Sequence, residues 1–296
     1  MQYITDINAY QSEKKTAVTL GKFDCLHRGH QKLIGRVKKL ASEEVQSVVC
    51  AFDMGRNSLL TKEERKERLE QEVDCFIACP FTKEIREMEA EQFILQILVE
   101  KFHAAVVVVG EDFRFGHEKR GDVVMLEKHA AQCGYQLEVI KKEMYKGREI
   151  SSTYVREALA EGNVTLANNL LGYLYGTEGV VEHGHQLGRT LGFPTMNIAW
   201  DEHKIAPKFG VYACEIEIDG ARYYGIGNVG IKPTVENEPH LLTEVYVFDY
   251  SGDTYGKYVK VWFHEFERPE TKFASIDELK ARVDKDILYG KNFFTK

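Results

Sequence analysis

The sequence predicts a two-part α/β chain: a doubly wound parallel sheet first, then a small antiparallel β-barrel with a terminal helix. Three observations predict it. Apolar spacing in the first half switches between short runs and helical periodicity in a repeated βα order. The run Ala104 to Val109 is unbroken and β-branched, as suits a parallel strand covered on both faces. Beyond about residue 176, period-two alternation and a hairpin signal dominate.

The elements follow in order. Thr16 to Leu20 is the first strand, and His30 to Val45 places Leu33, Ile34, Val37 and Leu40 on one helical face. Ser47 to Phe52 is the second strand. Thr61 and Glu64 stand in capping-box spacing at the start of another helix, and Asp74 to Ala78 is a third strand. After Ala104 to Val109 come a helix over Val123 to Cys133 and a strand over Leu137 to Ile140. Helices over Thr153 to Ala160 and Leu166 to Leu171 lead to the glycine-bearing stretch Gly172 to Gly176, where the character changes. The domain boundary is placed there, giving 1–172 and 173–296. In the second part Tyr212, Cys214, Ile216 and Ile218 alternate with polar or smaller neighbours. Asp219-Gly220 is a hairpin signal before Ala221 to Ile226. Strands near Thr243 to Tyr250 and Tyr258 to Phe266 follow, and closure into a barrel hides their edges. Ser275 and Glu278 then open a helix with Ile276, Leu279, Val283 and Ile287 on one face.

Composition narrows the class. The 296 residues are 44% apolar and 29% charged, ordinary for a folded protein with room for two cores. A formal charge of -7 argues against a nucleic-acid binder, which needs a basic surface. The N-terminus has no leader pattern and no apolar run is long enough to cross a membrane, so the expectation is a cytoplasmic protein with no membrane partner. Six cysteines without a CxxC pair argue against a disulfide framework and against zinc. The motifs carry no signal of oligomeric state.

Chemistry enters at TLGKFDCLHRGHQKLI, which runs from a strand through a tight turn into a helix. His27 and His30 flank Gly29 where helix N-terminal amides and the helix dipole attract anions. Two imidazoles there add donors for a polyphosphate leaving group as its charge develops. A lone turn histidine is usually structural; two at HxGH spacing after a strand point to nucleotide chemistry. In the bare reading Ser151, Ser152 and Thr153 offer hydroxyls and amides at another helix start, with Arg156 as a fixed cation for phosphate. The alternative for that group is an ordinary N-cap with a surface arginine. Phe113 and Phe115 are either core residues or a platform for a ring, and Asp112 either caps its loop or helps position phosphate and magnesium.

GKFDCLHRGH resembles the GxFDGxHxGH pattern of the bacterial bifunctional riboflavin kinase/FAD synthetase family, within the HxGH nucleotidyltransferases. VGEDFRFG (Val109 to Gly116) and ISSTYVR (Ile150 to Arg156) are similar to two further segments of that family. The resemblance implies a Rossmann-like FMN adenylyltransferase half with His27 and His30 catalytic. It also implies Gly21, Phe23, Gly29, Ser151, Ser152, Thr153 and Arg156 at ATP, and Asp112, Phe113 and Phe115 at flavin. Departures are Cys25 where the family has glycine, Tyr154 where many members have arginine, and an atypical CAFDMGRNS (Cys50 to Ser58).

The second half carries HGHQLGRTLGFPTMNI (His183 to Ile198), which resembles the riboflavin kinase signature GRxLGFPTxN. Glycines at 184, 188 and 192 permit close backbone approach, and Pro194 stiffens the turn presenting Thr195 and Asn197. A hydroxyl and a carboxamide oxygen are hard ligands suited to Mg²⁺. The resemblance puts Gly188 and Arg189 at ATP phosphates. NVGIKPTV (Asn228 to Val235) resembles NxGxRPTF, with Lys232 and Val235 departing. Glu244, in TEVYVFDY, falls where the family has its catalytic glutamate. Alternation groups it with Tyr246 and Phe248, which predicts an inward, working carboxylate. In ERPETKF (Glu267 to Phe273), Arg268 either closes over flavin or forms a surface salt bridge.

The expected function is two-step flavin cofactor synthesis. ATP and riboflavin give FMN and ADP in the C-terminal part, and ATP and FMN give FAD and pyrophosphate in the N-terminal part, with Mg²⁺ assisting both. The alternatives are a flavin-binding regulatory protein on the same scaffold and an enzyme retaining one activity. Another HxGH transferase leaves the second half unexplained.

Overall fold

The computed structural model describes residues 1–296 except 54, 56, 184–187, 189, 190, 234–238 and 296. The chain divides into two compact units, Met1–Ser152 and Thr153–Lys296.

The first unit is built on a six-stranded parallel sheet. Its strands are β1 (Gln2–Ile4), β2 (Lys15–Gly21), β3 (Val45–Asp53), β4 (Cys75–Pro80), β5 (Ala104–Gly110) and β6 (Gln136–Ile140), in the order β1-β4-β3-β2-β5-β6. Val107, Val108 and Val109 of β5 are wholly buried, as an unbroken apolar strand demands. Strand order reverses between β2 and β5, so a crevice opens beyond their carboxyl ends. Helix α1 (Arg28–Leu40) leaves β2 directly above it.

The sequence extends α1 to Val45, but the helix stops at Leu40. Ala41 turns extended, Ser42 and Val45 close a turn through Ser42 N–H to Val45 O at 2.9 Å, and Val45 opens β3 opposite Lys15. The capping box of α2 (Lys62–Leu69) is present in both halves: Glu64 N–H donates to Thr61 Oγ1 at 3.1 Å, and Thr61 N–H to Glu64 Oε2 at 2.8 Å. Helix α3 (Val123–Cys133) precedes β6. Strand β1 and a π-helix over Phe93–Lys101 are additions that local periodicity does not announce.

The second unit begins with α4 (Ser152–Glu161, whose first residue closes the first unit) and α5 (Val164–Leu171). Asn168 of α5 donates to Phe263 O at 2.8 Å, so α5 packs on the barrel wall. The barrel is closed and antiparallel, from β7 (Gly176–Glu182), β8 (Met196–Ala199), β9 (Gly210–Ile218), β10 (Ala221–Pro233), β11 (Pro239–Val247) and β12 (Tyr258–Pro269). Circuit order is β7-β8-β11-β10-β9-β12 and back to β7. The Asp219-Gly220 hairpin has both residues at positive φ, 52° and 78°, the primed geometry that its sequence signals. Helix α6 (Ile276–Phe294) covers one outer face of the barrel. Of its expected apolar face, Leu279, Val283 and Ile287 turn inward, whereas Ile276 sits on the first turn and is 58% exposed.

Candidate functional site

Each unit carries a cavity on its own motifs. In the first, a cavity of about 690 Å³ lies beyond the carboxyl ends of β2 and β5 and takes in Gly21, Phe23, His27, Gly29 and His30. The turn that brings them there is strained: Phe23 and Leu26 have φ of 43° and 47°, a left-handed geometry that L-residues avoid and that gathers at functional sites. His27 caps α1, its Nδ1 accepting from His30 N–H at 3.2 Å. That bond fixes the neutral tautomer with the proton on Nε2, free to donate. The two imidazoles stack, centroids 3.7 Å apart and 9° from parallel, and Phe23 lies 4.9 Å from His30. Gly29 leaves room for this stack, because a Cβ there would stand 3.1 Å from the His27 ring and press on it.

Burial keeps both rings uncharged. It pulls His27 down to about 4, and His30 well below the ordinary imidazole value, with His27 adding repulsion. Among the described residues, His30 Nδ1 is buried with no hydrogen-bond partner. Cys25 Sγ lies 3.4 Å from Ser152 Oγ, and Cys25, His27 and His30 bring one metal-ligating atom each within 4.8 Å of one another. The sequence argument against zinc weighs cysteine pairs only and misses this mixed cluster.

Ser151 and Ser152 line the same cavity, at the start of α4; Thr153 and Arg156 follow on that helix in the second unit. Asp112, Phe113 and Phe115 line it too. Phe113 and Phe115 stack 5.6 Å apart, and Phe115 is also part of the core, 5.3 Å from Phe93. Asp112 is held by Lys142 at 3.0 Å. Sequence reasoning misses Phe52, Phe81 and Phe93, which extend the aromatic wall, and Lys22, Lys119 and Lys141, which bring positive charge to the rim. The signal for them is weak: Phe52 lies near the end of β3, Phe81, Lys22 and Lys141 follow strands, and Phe93 and Lys119 lie in helical turns.

In the second unit a cavity of about 310 Å³ lies between the outer barrel face, the residues Gly188, Leu191, Phe193 and Thr195, and α6. Ladder register sets Asn197, Glu244, Asn228, Val211 and Arg268 side by side across five strands. Alternation along β11 holds, but the barrel interior belongs to Thr243 and Val245, both wholly buried and packed towards Cys214. Glu244 and Tyr246 face the opposite way, half-buried in the cavity, because α6 covers that side of the barrel. The correction is one of direction: the carboxylate is enclosed without being inside the barrel.

Thr195 precedes β8 and shares a face with Asn197 two residues on. A Cβ at Gly188 would meet Phe193 O at 2.6 Å, so this turn closes only over glycine. Arg189 lies outside the described residues, as does most of the signature before Leu191. Arg268 donates from Nε to Asp286 Oδ1 at 3.0 Å, a partly buried pair that Arg282 joins at 2.8 Å. Burial beside Asp286 raises Glu267 to about 7. Asn228 donates to Glu270 at 3.3 Å while its Oδ1 is buried without a partner among the described residues, a residue the sequence reading leaves without a role. Oxygen donors from Thr195 and Asn197 next to a carboxylate fit a hard divalent cation.

Comparison with known proteins follows this geometry closely. Residues 9–154 match the FAD synthetase family, and residues 171–294 match the riboflavin kinase family. A bifunctional riboflavin kinase/FMN adenylyltransferase of Haemophilus influenzae is 36% identical over 308 residues, covering 99% of each chain. Its counterpart in Buchnera aphidicola is 35% identical, covering 97% of this chain and 96% of that one. A crystal structure from Streptococcus pneumoniae, named a macrolide-efflux protein, superposes with a TM-score of 0.84 at 28% identity, covering 96% of both chains. Among the described residues of this chain no helix is long and apolar enough to cross a membrane.

Proposed function

The chain belongs to the bifunctional riboflavin kinase/FMN adenylyltransferase family, and from that premise we propose how its residues divide the two reactions. The enzyme phosphorylates riboflavin with ATP to give FMN and ADP, then adenylylates FMN with a second ATP to give FAD and pyrophosphate. We assign adenylylation to residues 1–172 and phosphorylation to 173–296. Gly172, the left-handed cap of α5, and the start of β7 at Gly176 support that boundary.

In the adenylylation site an FMN phosphate oxygen attacks the α-phosphorus of ATP, and pyrophosphate leaves. His27 and His30 donate as neutral N–H groups to the leaving phosphates, beside the N-terminal amides of α1. Ser151 and Ser152 hold the phosphate chain in line, and Gly21 and Gly29 let it approach the backbone. The isoalloxazine ring stacks on the wall that Phe113 and Phe115 contribute, with Asp112 and Lys142 at its edge. In the kinase site Glu244 orients the riboflavin 5′-hydroxyl and takes its proton as that oxygen attacks the γ-phosphorus. Gly188 and Arg189 cradle the phosphates, and Arg268, fixed by Asp286, borders the flavin. Mg²⁺, held through Thr195 and Asn197, supplies charge neutralisation at the ATP phosphates.

The observation that carries the kinase reading is Glu244 set between Asn197 and Asn228 on an enclosed face. We place the enzyme in the cytoplasm, without nucleic-acid or membrane partners, on its acidic charge and its six cysteines outside any disulfide. Incubating the full chain with riboflavin, ATP and Mg²⁺, and separating products by chromatography, tests the whole reading. FMN appears first and FAD follows; FMN that accumulates without FAD supports the one-activity alternative instead.

A further inference from the structure

We propose that Cys25, His27 and His30 form a binding site for a borderline-soft divalent metal ion of the zinc class, and that the ion competes with ATP there. The three residues sit on one short turn between β2 and α1, and one ligand atom from each lies within 4.8 Å of the others. A tetrahedral zinc centre with bonds of about 2.0 to 2.3 Å separates its ligand atoms by roughly 3.3 to 3.7 Å. Rotation of the side chains by about an ångström closes that difference. One thiolate and two imidazoles make a donor set that zinc prefers to magnesium, and three protein ligands leave a fourth position for water.

Two further observations point to a ligand. Among the described residues, His30 Nδ1 is buried with no partner, although its ring is pinned between His27 and Phe23. Cys25 is wholly buried on the same turn, its Sγ 3.4 Å from Ser152 Oγ, so the thiol is held in place beside the two rings. Binding releases the Cys25 thiol proton to solvent and exchanges the His27 cap bond for a metal bond. Losing one cap hydrogen bond costs little beside the binding free energy of a typical structural zinc site. A metal ion so held takes both histidines away from the pyrophosphate, which makes binding of metal and of ATP at this turn mutually exclusive.

The competition rests on the adenylylation reading, whereas metal binding itself does not, and the experiment separates them. Full-length protein is titrated with Co²⁺ and then Zn²⁺, following the thiolate-to-cobalt charge-transfer band. Wild type shows the band and loses it to zinc, while Cys25→Ser lacks it and binds zinc at least tenfold more weakly. Cys25→Gly is the second variant, in case serine disturbs the turn. Buffered zinc is then added to separate assays of the two activities, each variant compared with its own zinc-free rate. Zinc inhibits FAD formation in wild type, excess Mg-ATP relieves it, and riboflavin phosphorylation, which draws on the same ATP, reports any simple depletion of nucleotide. Equal zinc affinity in wild type and both variants overturns the site. A thiolate-bound metal that leaves FAD formation untouched, or that inhibits both activities equally, overturns the competition.

Discussion

Two stacked imidazoles that have lost most of their water cannot both carry a proton, and at this turn neither does. Burial holds His27 at about 4, against about 6.5 for the unfolded chain. Between those values the unfolded chain takes up the proton first, so folding loses stability as pH falls. The contribution is complete above pH ~6.5 and gone by pH ~4; about 2 kcal/mol of it is lost by pH 5. Urea unfolding at pH 7 and pH 5 should therefore show a larger loss in wild type than in His27→Gln, and equal losses would mean that the ring titrates normally. His30 tests the chemistry of the same pair. His30→Ala should slow FMN adenylylation by about 10² or more, the scale for losing a preorganised donor, with riboflavin phosphorylation within about twofold of wild type. Equal loss of both activities in a folded variant would break the division of labour. The histidine pair was legible from HxGH spacing alone. Phe52, Phe81 and Lys142 were not, because tertiary approach and not local pattern brings them to the cavity.

Among the elements, legibility followed the strength of local chemistry. The Thr61–Glu64 box and the Asp219-Gly220 turn stand where the sequence puts them, since each is decided within four residues. The overrun of α1 into Val45 and the inclusion of Ile276 in the buried face of α6 have a common cause. Helical periodicity says which residues share a face, but strand pairing and the docking partner decide where that face ends. Strands β7 and β8 show the limit most plainly, because barrel closure is a long-range event with little local signature. Closure between β7 and β12 depends on Gly176, where a Cβ would lie 1.9 Å from Val261 O and 2.9 Å from Trp262 Cα. Both obstacles are backbone, so the two strands must part to admit a methyl group. Gly176→Ala should cost about 2 to 3 kcal/mol and should lower riboflavin phosphorylation through loss of folded barrel. Thermal unfolding that matches wild type would show that the pairing yields without cost.

For the whole molecule, the consequence of two compact units, each with a cavity on its own motifs, is that either reaction should fail alone. Glu244 gives the sharpest test. It stands between Asn197 and Asn228 in the barrel ladder and faces the cavity under α6, so a substitution there leaves the apolar barrel interior of Thr243 and Val245 intact. Glu244→Gln keeps size and an acceptor oxygen but removes the basic carboxylate, so ATP and riboflavin should still bind. The riboflavin kinase kcat should fall by about 10² or more, the range for losing acid–base assistance, while FAD formation from supplied FMN stays near wild type. Thr195→Ala and Asn197→Ala act differently: they should raise the KM for Mg-ATP, with partial recovery at high Mg²⁺ if these oxygens hold the cation. Assaying the two half-reactions separately across a Mg²⁺ series distinguishes the roles. A loss in Glu244→Gln that high Mg²⁺ restores would make the carboxylate a metal ligand, and an unchanged kcat would place the base elsewhere on the cavity wall.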